Sequence, residues 1–384
     1  MAFLCMYVYL LLMQYLCLTT SDNEADFPEA NATTDSYNHS QAIDQDQNDV
    51  IQVAVFATSM VIAGLGLLGN GLVIGLFFLN WSLTRTLTSL YIFHQSVIDF
   101  VSSAMFAALQ LDRWKPLLAV EGWVGVVSCK VWYSKALFWS LLHISTINLV
   151  LVTLERYVSV LHPIFRRNHF TRRKAKLTML LAWLVGLSYQ SYWVVVSQND
   201  QGRCYQEFPS DVIRNLFGGL TFLVEYLIPL SIMSFAYVRI ISRLKKLSKY
   251  GDRSARSSLS PRKRAPSSNS PVGLRDRRRS GPTQLMLVKA RRNVTKTLCL
   301  VFATYVICWT PVEIEYIVYS AGFLKNQSIP ELRATKVLVM CNMCANPFIY
   351  AAKYREFQEA ARRTWNRLQC REFSTAPYPP SPSV

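Results

Sequence analysis

Ionisable side chains in apolar surroundings are the residues of this sequence best placed to do chemistry. Asp99 stands in the run LYIFHQSVIDFVSSAMF, Glu155 and Arg156 end an uncharged stretch that begins after Lys135, and Glu225, Glu313 and Lys336 stand in or beside three further apolar runs. A charge in such a run is costly unless it faces a cavity, pairs with another charge or meets a ligand. The chemistry on offer is ion pairing, ligand binding and exchange between partners rather than bond making. No phosphate-binding glycine loop, dinucleotide fingerprint, nucleophile elbow or His-Glu-x-x-His occurs, so the usual signatures of a catalytic site are missing. The nine cysteines form no double Cys-x-x-Cys set, and Cys341 and Cys344 lie inside an apolar segment, which speaks against a zinc site. The sequence gives no basis for an enzyme.

Apolar helices must position these residues. Of 384 residues, 51% are hydrophobic and 17% charged, more apolar material than a soluble domain of this length buries. Seven stretches, at about 51–79, 87–110, 129–157, 176–198, 215–243, 294–320 and 331–352, are long enough to cross a bilayer as helices. No Asp, Glu, Lys or Arg occurs between Asp49 and Arg85, Lys135 and Glu155, Lys176 and Asp200, or Lys296 and Glu313. The expected fold is an all-α membrane protein, a seven-transmembrane helix bundle at 50–352 with a short amphipathic C-terminal helix at 353–369 and a cytoplasmic tail at 370–384. Phe357, Ala361, Trp365 and Leu368 share one face of that last helix at helical spacing.

Charge orients the bundle. The net charge of +17 is segregated: residues 1–49 hold eight acids and no Lys or Arg, whereas 245–292 holds fifteen bases against Asp252 and Asp276. Arg166, Arg167, Arg172, Arg173 and Lys174 crowd another loop. Basic loops stay in the cytoplasm, which places the N-terminus outside and makes anionic lipid and a cytosolic protein, not nucleic acid, the partners of the basic charge. The sequons at Asn31, Asn38 and Asn326 then face outward and are glycosylation candidates. Residues 1–20 read as a signal peptide, or alternatively as an uncleaved extra span, and 21–49 as an acidic extracellular segment. The loop 245–285, rich in Ser, Pro and Arg without apolar periodicity, is expected to be disordered.

With the spans placed, ordered landmarks appear: Gly69-Asn70, Asp99, Glu155-Arg156-Tyr157, Trp183, Pro229 with Tyr237, Cys308-Trp309-Thr310-Pro311, and Asn346-Pro347-Phe348-Ile349-Tyr350. Over about 50–370 this set resembles a rhodopsin-like (class A) G-protein-coupled receptor of the peptide-receptor kind. The resemblance implies a plasma-membrane receptor that activates heterotrimeric G proteins by outward movement of span six. Arg156 is then the switch, released from Glu155 as Tyr237 and Tyr350 close behind it, and receptor kinases and arrestin are further partners. Relatives often carry an acid at the base of span six to hold that arginine. Here the position is Arg291, so a weak resting lock is expected unless Thr295 holds Arg156 instead.

The resemblance also implies a sodium ion near Asp99, with Ser145, Asn342 and Asn346 as its neighbours; a hydrogen-bonded packing node without an ion is the other reading. Cys129 and Cys204 would be the only cysteines outside once a signal peptide leaves, and their disulfide would tie span three to the second extracellular loop. Cys129 precedes Arg156 by 27 residues where the family has 25, so pocket positions are counted from Arg156. That count puts Phe138 where an amine receptor carries Asp, and Met340 stands where an opsin carries its retinal lysine. Glu225, Glu313 and Lys336, with Phe138, Trp309 and Tyr316, remain as a ligand site, for a basic peptide or for a small cationic ligand. A Glu313/Lys336 ion pair without ligand contact is the plainer reading. Cys370 is either palmitoylated or a free thiol. A transporter is the rival from another class, but the internal repeats such a fold would bring are not seen.

Overall fold

A computed structural model describes the backbone of residues 34–80, 83, 86–114, 121–259, 275–323 and 330–374, and side chains at 50–80, 83, 86–112, 121–248, 292–323, 335–367 and 369. Helix α1 is Thr34–Leu79 and α2 Leu87–Trp114. Helix α3 (Gly122–Ser128) passes through a π-helical turn, Cys129–Tyr133, into α4 (Ala136–Leu161). The short α5 is Pro163–His169, opened by a proline whose fixed φ suits a first helical turn. Helix α6 (Arg172–Gln190) is capped by Thr171, whose side chain accepts from the Lys174 amide, and runs into α7 (Tyr192–Val196). After strands β1 (Ser197–Asp200) and β2 (Arg203–Gln206) come α8 (Asp211–Thr221), a second π-helical turn at Phe222–Leu227, and α9 (Ile228–Leu259). Helices α10 (Arg275–Ser320), α11 (Pro330–Lys353) and α12 (Arg355–Ser374) complete the described chain.

Six stretches among the described residues are long and apolar enough to cross a membrane: Val50–Leu79, Leu87–Asp112, Gly122–Leu161, Arg172–Val196, Asp211–Ser248 and Arg292–Ser320. Helix α11 packs against α10, α1 and α2. The burial pattern is that of a protein in hydrocarbon: Leu68, Leu72 and Phe78 lie open on the outside while Asn70, Asp99 and Asn346 are fully buried. Water would reverse that preference; a bilayer does not penalise exposed leucine and forces polar groups inward.

Small residues and side-chain amides hold the helices together. A Cβ on Gly69 would come within 3.0 Å of the Pro347 ring, so α1 and α11 approach backbone to ring. Pro347 has no N–H to offer the carbonyl four residues earlier, that of Met343. Asn70 Nδ2 supplies the donor at 3.0 Å and also donates to Gly66 O at 3.0 Å. The same device recurs at Pro229, where Tyr305 Oη donates to the Glu225 carbonyl at 3.0 Å.

Several boundaries differ from those expected. Span four ends at Val196 and the chain turns into an antiparallel hairpin, Asn199 opposite Cys204, through Gln201 and Gly202, both at positive φ. Two such residues make the tight turn whose twist matches paired strands. Within 245–285, the described backbone is helical to Leu259 and again from Arg275, because extending an existing helix through Lys, Arg, Leu and Ala is far easier than starting one. Helix α12 runs beyond 369 to Ser374. In it Phe357 and Ala360 are buried against the bundle while Trp365 is open. Residues 1–33, with Asn31, and Asn326 lie outside the described residues, as do the side chains of Asn38, Arg291, Leu368 and Cys370.

Candidate functional site

At the end of the bundle that carries the hairpin, Cys129 and Cys204 form a disulfide with their Cα atoms 5.5 Å apart. Lys130 Nζ reinforces the contact by donating to the carbonyls of Val194 and Ser197 at 3.3 and 3.1 Å. The extra residues between Cys129 and Arg156 are absorbed here. A π turn holds more residues than an α turn, and Lys135 (φ 57°) breaks the helix in the left-handed region before α4 restarts. Holding a non-glycine residue there costs about 1–3 kcal/mol. Phe138 consequently sits buried in the wall of the cavity below, stacked on Phe106 at 5.9 Å.

Two adjoining chambers open beneath the hairpin. The larger, about 680 Å³, lies between α1, α2, α4 and α11 and includes Phe138, Asp112, Tyr133 and Met340. The smaller, about 120 Å³, lies among α4, α6, α10 and the second π turn. Lys135, Trp139, Gln206 and Lys336 border both. Glu225, Trp309, Glu313, Glu315 and Tyr316 line the smaller chamber. Glu225 is carried on the π turn, and Gln190 Nε2 donates to its Oε1 at 2.8 Å. Glu313 is buried, and among the described residues its Oε2 has no hydrogen-bond partner. The expected alternative of a Glu313/Lys336 pair is not formed: Lys336 Nζ lies 3.8 Å from Glu315 Oε1, and Thr335 Oγ1 donates to Glu315 Oε2. Lys336 pairs with Glu315, and Glu313 lines the small chamber together with Trp309. Two acidic side chains in one low-dielectric chamber are costly alone, and a cation between them would offset that cost.

In mid-bundle, Asp99 is fully enclosed. It accepts from Gln95 Nε2 at 3.0 and 3.2 Å, from Ser145 Oγ at 3.1 Å and from Asn346 Nδ2 at 2.8 Å. Of the neighbours expected from sequence, Ser145 and Asn346 reach Asp99. Asn342 does not: among the described residues its Oδ1 has no hydrogen-bond partner. Gln95 takes that role. Neutral amides do not stand out in a charge count, but a Gln one helical turn before an intramembrane Asp was a signal available in the sequence.

At the opposite end, Glu155 is the centre of a four-way contact. Its Oε2 meets Arg156 Nε at 2.6 Å and Thr88 Oγ1 at 2.8 Å, and its Oε1 meets Nε and Nη2 of Arg166, both at 2.9 Å. Arg166, counted only as a loop charge in the sequence, comes from α5 and shares the carboxylate with Arg156. Tyr157 packs on Phe235 at 6.0 Å, Tyr237 Oη lies 3.1 Å from Thr153 Oγ1, and Tyr350 is buried beside Tyr354. Thr295 does not hold Arg156: its Oγ1 is buried, and among the described residues it has no hydrogen-bond partner. Tyr354 Oη joins Ser89 and Glu356, which ties α12 to α2, and burial together with the Glu356 charge pushes its phenol above the usual range.

A multi-span helical protein with a chamber at one end, an enclosed carboxylate midway and a shared ion pair at the other has the parts of a membrane receptor. The family model for the 7 transmembrane receptor (rhodopsin family) matches residues 69–350. The chain belongs to that family and is a multi-pass membrane protein. It is similar to galanin receptor 2b of Danio rerio, 25% identical over 350 residues that cover 89% of this chain and 82% of the relative. It is also similar to galanin receptor type 3 of Homo sapiens, 25% identical over 82% of this chain and 78% of the relative, and to the allatostatin-A receptor of Bombyx mori, 23% identical over 91% and 88%.

Proposed function

We propose that this chain is a plasma-membrane receptor for an extracellular peptide with a basic group, and that it activates heterotrimeric G proteins by outward movement of α10. The observation that carries the reading is the small chamber, where Glu225 and Glu313 are both buried and Glu313 keeps an oxygen without a partner among the described residues. Its aromatic walls, Trp139, Tyr192, Trp193, Trp309 and Tyr316, suit a guanidinium or ammonium group, which aromatic faces attract. At about 120 Å³ the chamber takes one head group and not a whole ligand. The adjoining chamber of about 680 Å³ would take the rest, which favours a peptide over a small cationic ligand. The names of the similar receptors, for galanin and allatostatin-A, agree with a peptide.

In this reading α11 is the seventh span and α12 lies along the membrane surface. The acidic N-terminal segment is outside, following a signal peptide, with sugars at Asn31, Asn38 and Asn326. The basic segments and Arg156 face the cytosol, where the G protein, receptor kinases and arrestin act, and Cys370 is a lipidation site beside α12. The test is nucleotide exchange on a panel of G proteins, driven by a peptide library, followed by dose responses of Glu225→Gln and Glu313→Gln. Losing a charged hydrogen-bond partner costs about 1.5–3 kcal/mol, roughly a 10–100-fold loss of potency. Unchanged potency in both variants at normal surface expression would overturn the cation site. Failure of every peptide alongside a response to small amines would overturn the peptide assignment.

A further inference from the structure

Asp99 ends a hydrogen-bond chain that crosses three helices in one direction. Trp183 Nε1 donates to His94 Nε2 at 2.9 Å; His94 Nδ1 lies 2.9 Å from Asn148 Oδ1; Asn148 Nδ2 donates to Gln95 Oε1 at 2.7 Å; Gln95 Nε2 donates to both oxygens of Asp99. The polarity is forced at each link. An indole nitrogen can only donate, so His94 Nε2 must accept and Nδ1 must carry the proton. Asn148 therefore turns its oxygen to His94 and its nitrogen to Gln95, an orientation that the Tyr91 carbonyl confirms by accepting from the same nitrogen at 3.1 Å. Gln95 has no choice left: oxygen toward Asn148, nitrogen toward Asp99 and Ser145.

A sodium ion at Asp99, which membership of the family implies, would need oxygen lone pairs, because hard cations take oxygen ligands. A carboxylate offers about four such sites. Here Gln95 fills two, Ser145 one and Asn346 one. Among the described residues, the buried side-chain oxygens of Asn70, Ser96, Asn342 and Asn346 are left without partners, and all of them are neutral. The one formal negative charge is covered by N–H and O–H groups, and an ion bound to it would face the Gln95 amide protons. The residues do not fit the ion.

We propose that the Gln95 amide takes the place at Asp99 that a cation would occupy, so that side-chain dipoles anchored at Trp183 hold this centre and the receptor is indifferent to sodium. The inference is independent of the ligand. Replacing Gln95 by Leu removes one donor nitrogen and both of its contacts from Asp99 at nearly constant volume, leaving Ser145 and Asn346 around an under-served carboxylate that a cation can complete.

The experiment is thermal unfolding of the purified full-length chain in nanodiscs, in sodium chloride against choline chloride at equal concentration. The wild-type midpoint should agree within about 1 °C, while Gln95→Leu should gain roughly 3 °C in sodium, the shift expected of an ion present well above its Kd. The gain should vanish in Gln95→Leu/Asp99→Asn. A wild-type midpoint that rises in sodium and loses that rise in Asp99→Asn would overturn the proposal, and this comparison stands even where Gln95→Leu fails to fold. A folded Gln95→Leu that ignores sodium would also overturn it, since Gln95 would then not be what keeps the ion out.

Discussion

Glu155 divides one negative charge between two guanidinium groups, and the division sets how firmly Arg156 is held. Arg156 meets the carboxylate through a single contact at 2.6 Å, while Arg166 meets the other oxygen through two nitrogens at 2.9 Å. Two unit charges about 4 Å apart attract by about 4 kcal/mol at an effective dielectric constant of 20. Desolvation of the buried carboxylate and its sharing with Arg166 reduce the net hold on Arg156 to about 1–2 kcal/mol. Glu155→Gln removes that hold and should raise ligand-free nucleotide exchange per surface receptor by about 5–30-fold. Arg166→Gln should do the opposite: the whole carboxylate then belongs to Arg156, and basal exchange should fall several-fold. Both are read in membranes with a purified G protein, normalised to surface receptor by epitope labelling. If Arg166→Gln raises basal exchange as Glu155→Gln does, Arg166 is part of the lock rather than a competitor for it, and the reasoning fails.

Cys129→Ser and Cys204→Ser should each reduce surface delivery, with the double variant no worse than either single one, because one bond is lost in every case; flow cytometry of surface epitope checks this, and additive losses would refute it. Tyr305→Phe removes the donor to the Glu225 carbonyl and leaves a buried acceptor unserved, at about 1–3 kcal/mol; the unfolding midpoint should drop by several degrees. Gly186→Ala should destabilise by about 1–3 kcal/mol, since its Cβ would press on the Ile144 side chain and lie 3.4 Å from the Ser140 carbonyl. Gly64→Ala, with nothing within 4 Å of the new methyl, should instead hold or raise the midpoint in the same assay.

Asp99, Glu155, Arg156, Glu225 and Glu313 were legible because a charge in an apolar run is conspicuous whatever the fold around it. Their partners were not. Asn148 and Gln190 are neutral, and a hydropathy reading counts them as mildly polar residues of a span; only the packing of α4 on α2 and of α6 on the second π turn turns them into donors to particular oxygens. The π turns were likewise hidden, since one added residue blurs apolar periodicity without ending the helix. The surplus between Cys129 and Arg156 was the trace of the first, and Phe138, the position counted from Arg156, lies in the cavity wall. The hairpin at 197–206 was missed because span four stays uncharged through Asn199, so nothing in the charge pattern marks where helix gives way to strand.

The prolines connect the chamber to the rest of the bundle in a way the kinks alone do not explain. A proline frees the carbonyl four residues before it, and in a bilayer that group must find a donor within the protein. At Pro347 the donor is Asn70 of α1, and at Pro229 it is Tyr305 of α10. Each of these proline sites is thus fastened to a neighbouring helix. The residue whose carbonyl Tyr305 holds is Glu225, whose carboxyl lines the small chamber. Tyr305 also lies against Trp309, the rings tilted with centroids 5.9 Å apart, and Tyr226 Oη meets Thr310 Oγ1 at 2.6 Å. A ligand that draws on the Glu225 side chain therefore loads the same residue whose backbone anchors α10, and it does so on a π turn, where the helical hydrogen-bond ladder is already offset. In the proposed function, binding at the chamber and displacement of α10 have Glu225 in common, so a variant there is expected to alter efficacy together with affinity, whereas one at Glu313, whose backbone makes no such bond among the described residues, is expected to bear on affinity alone.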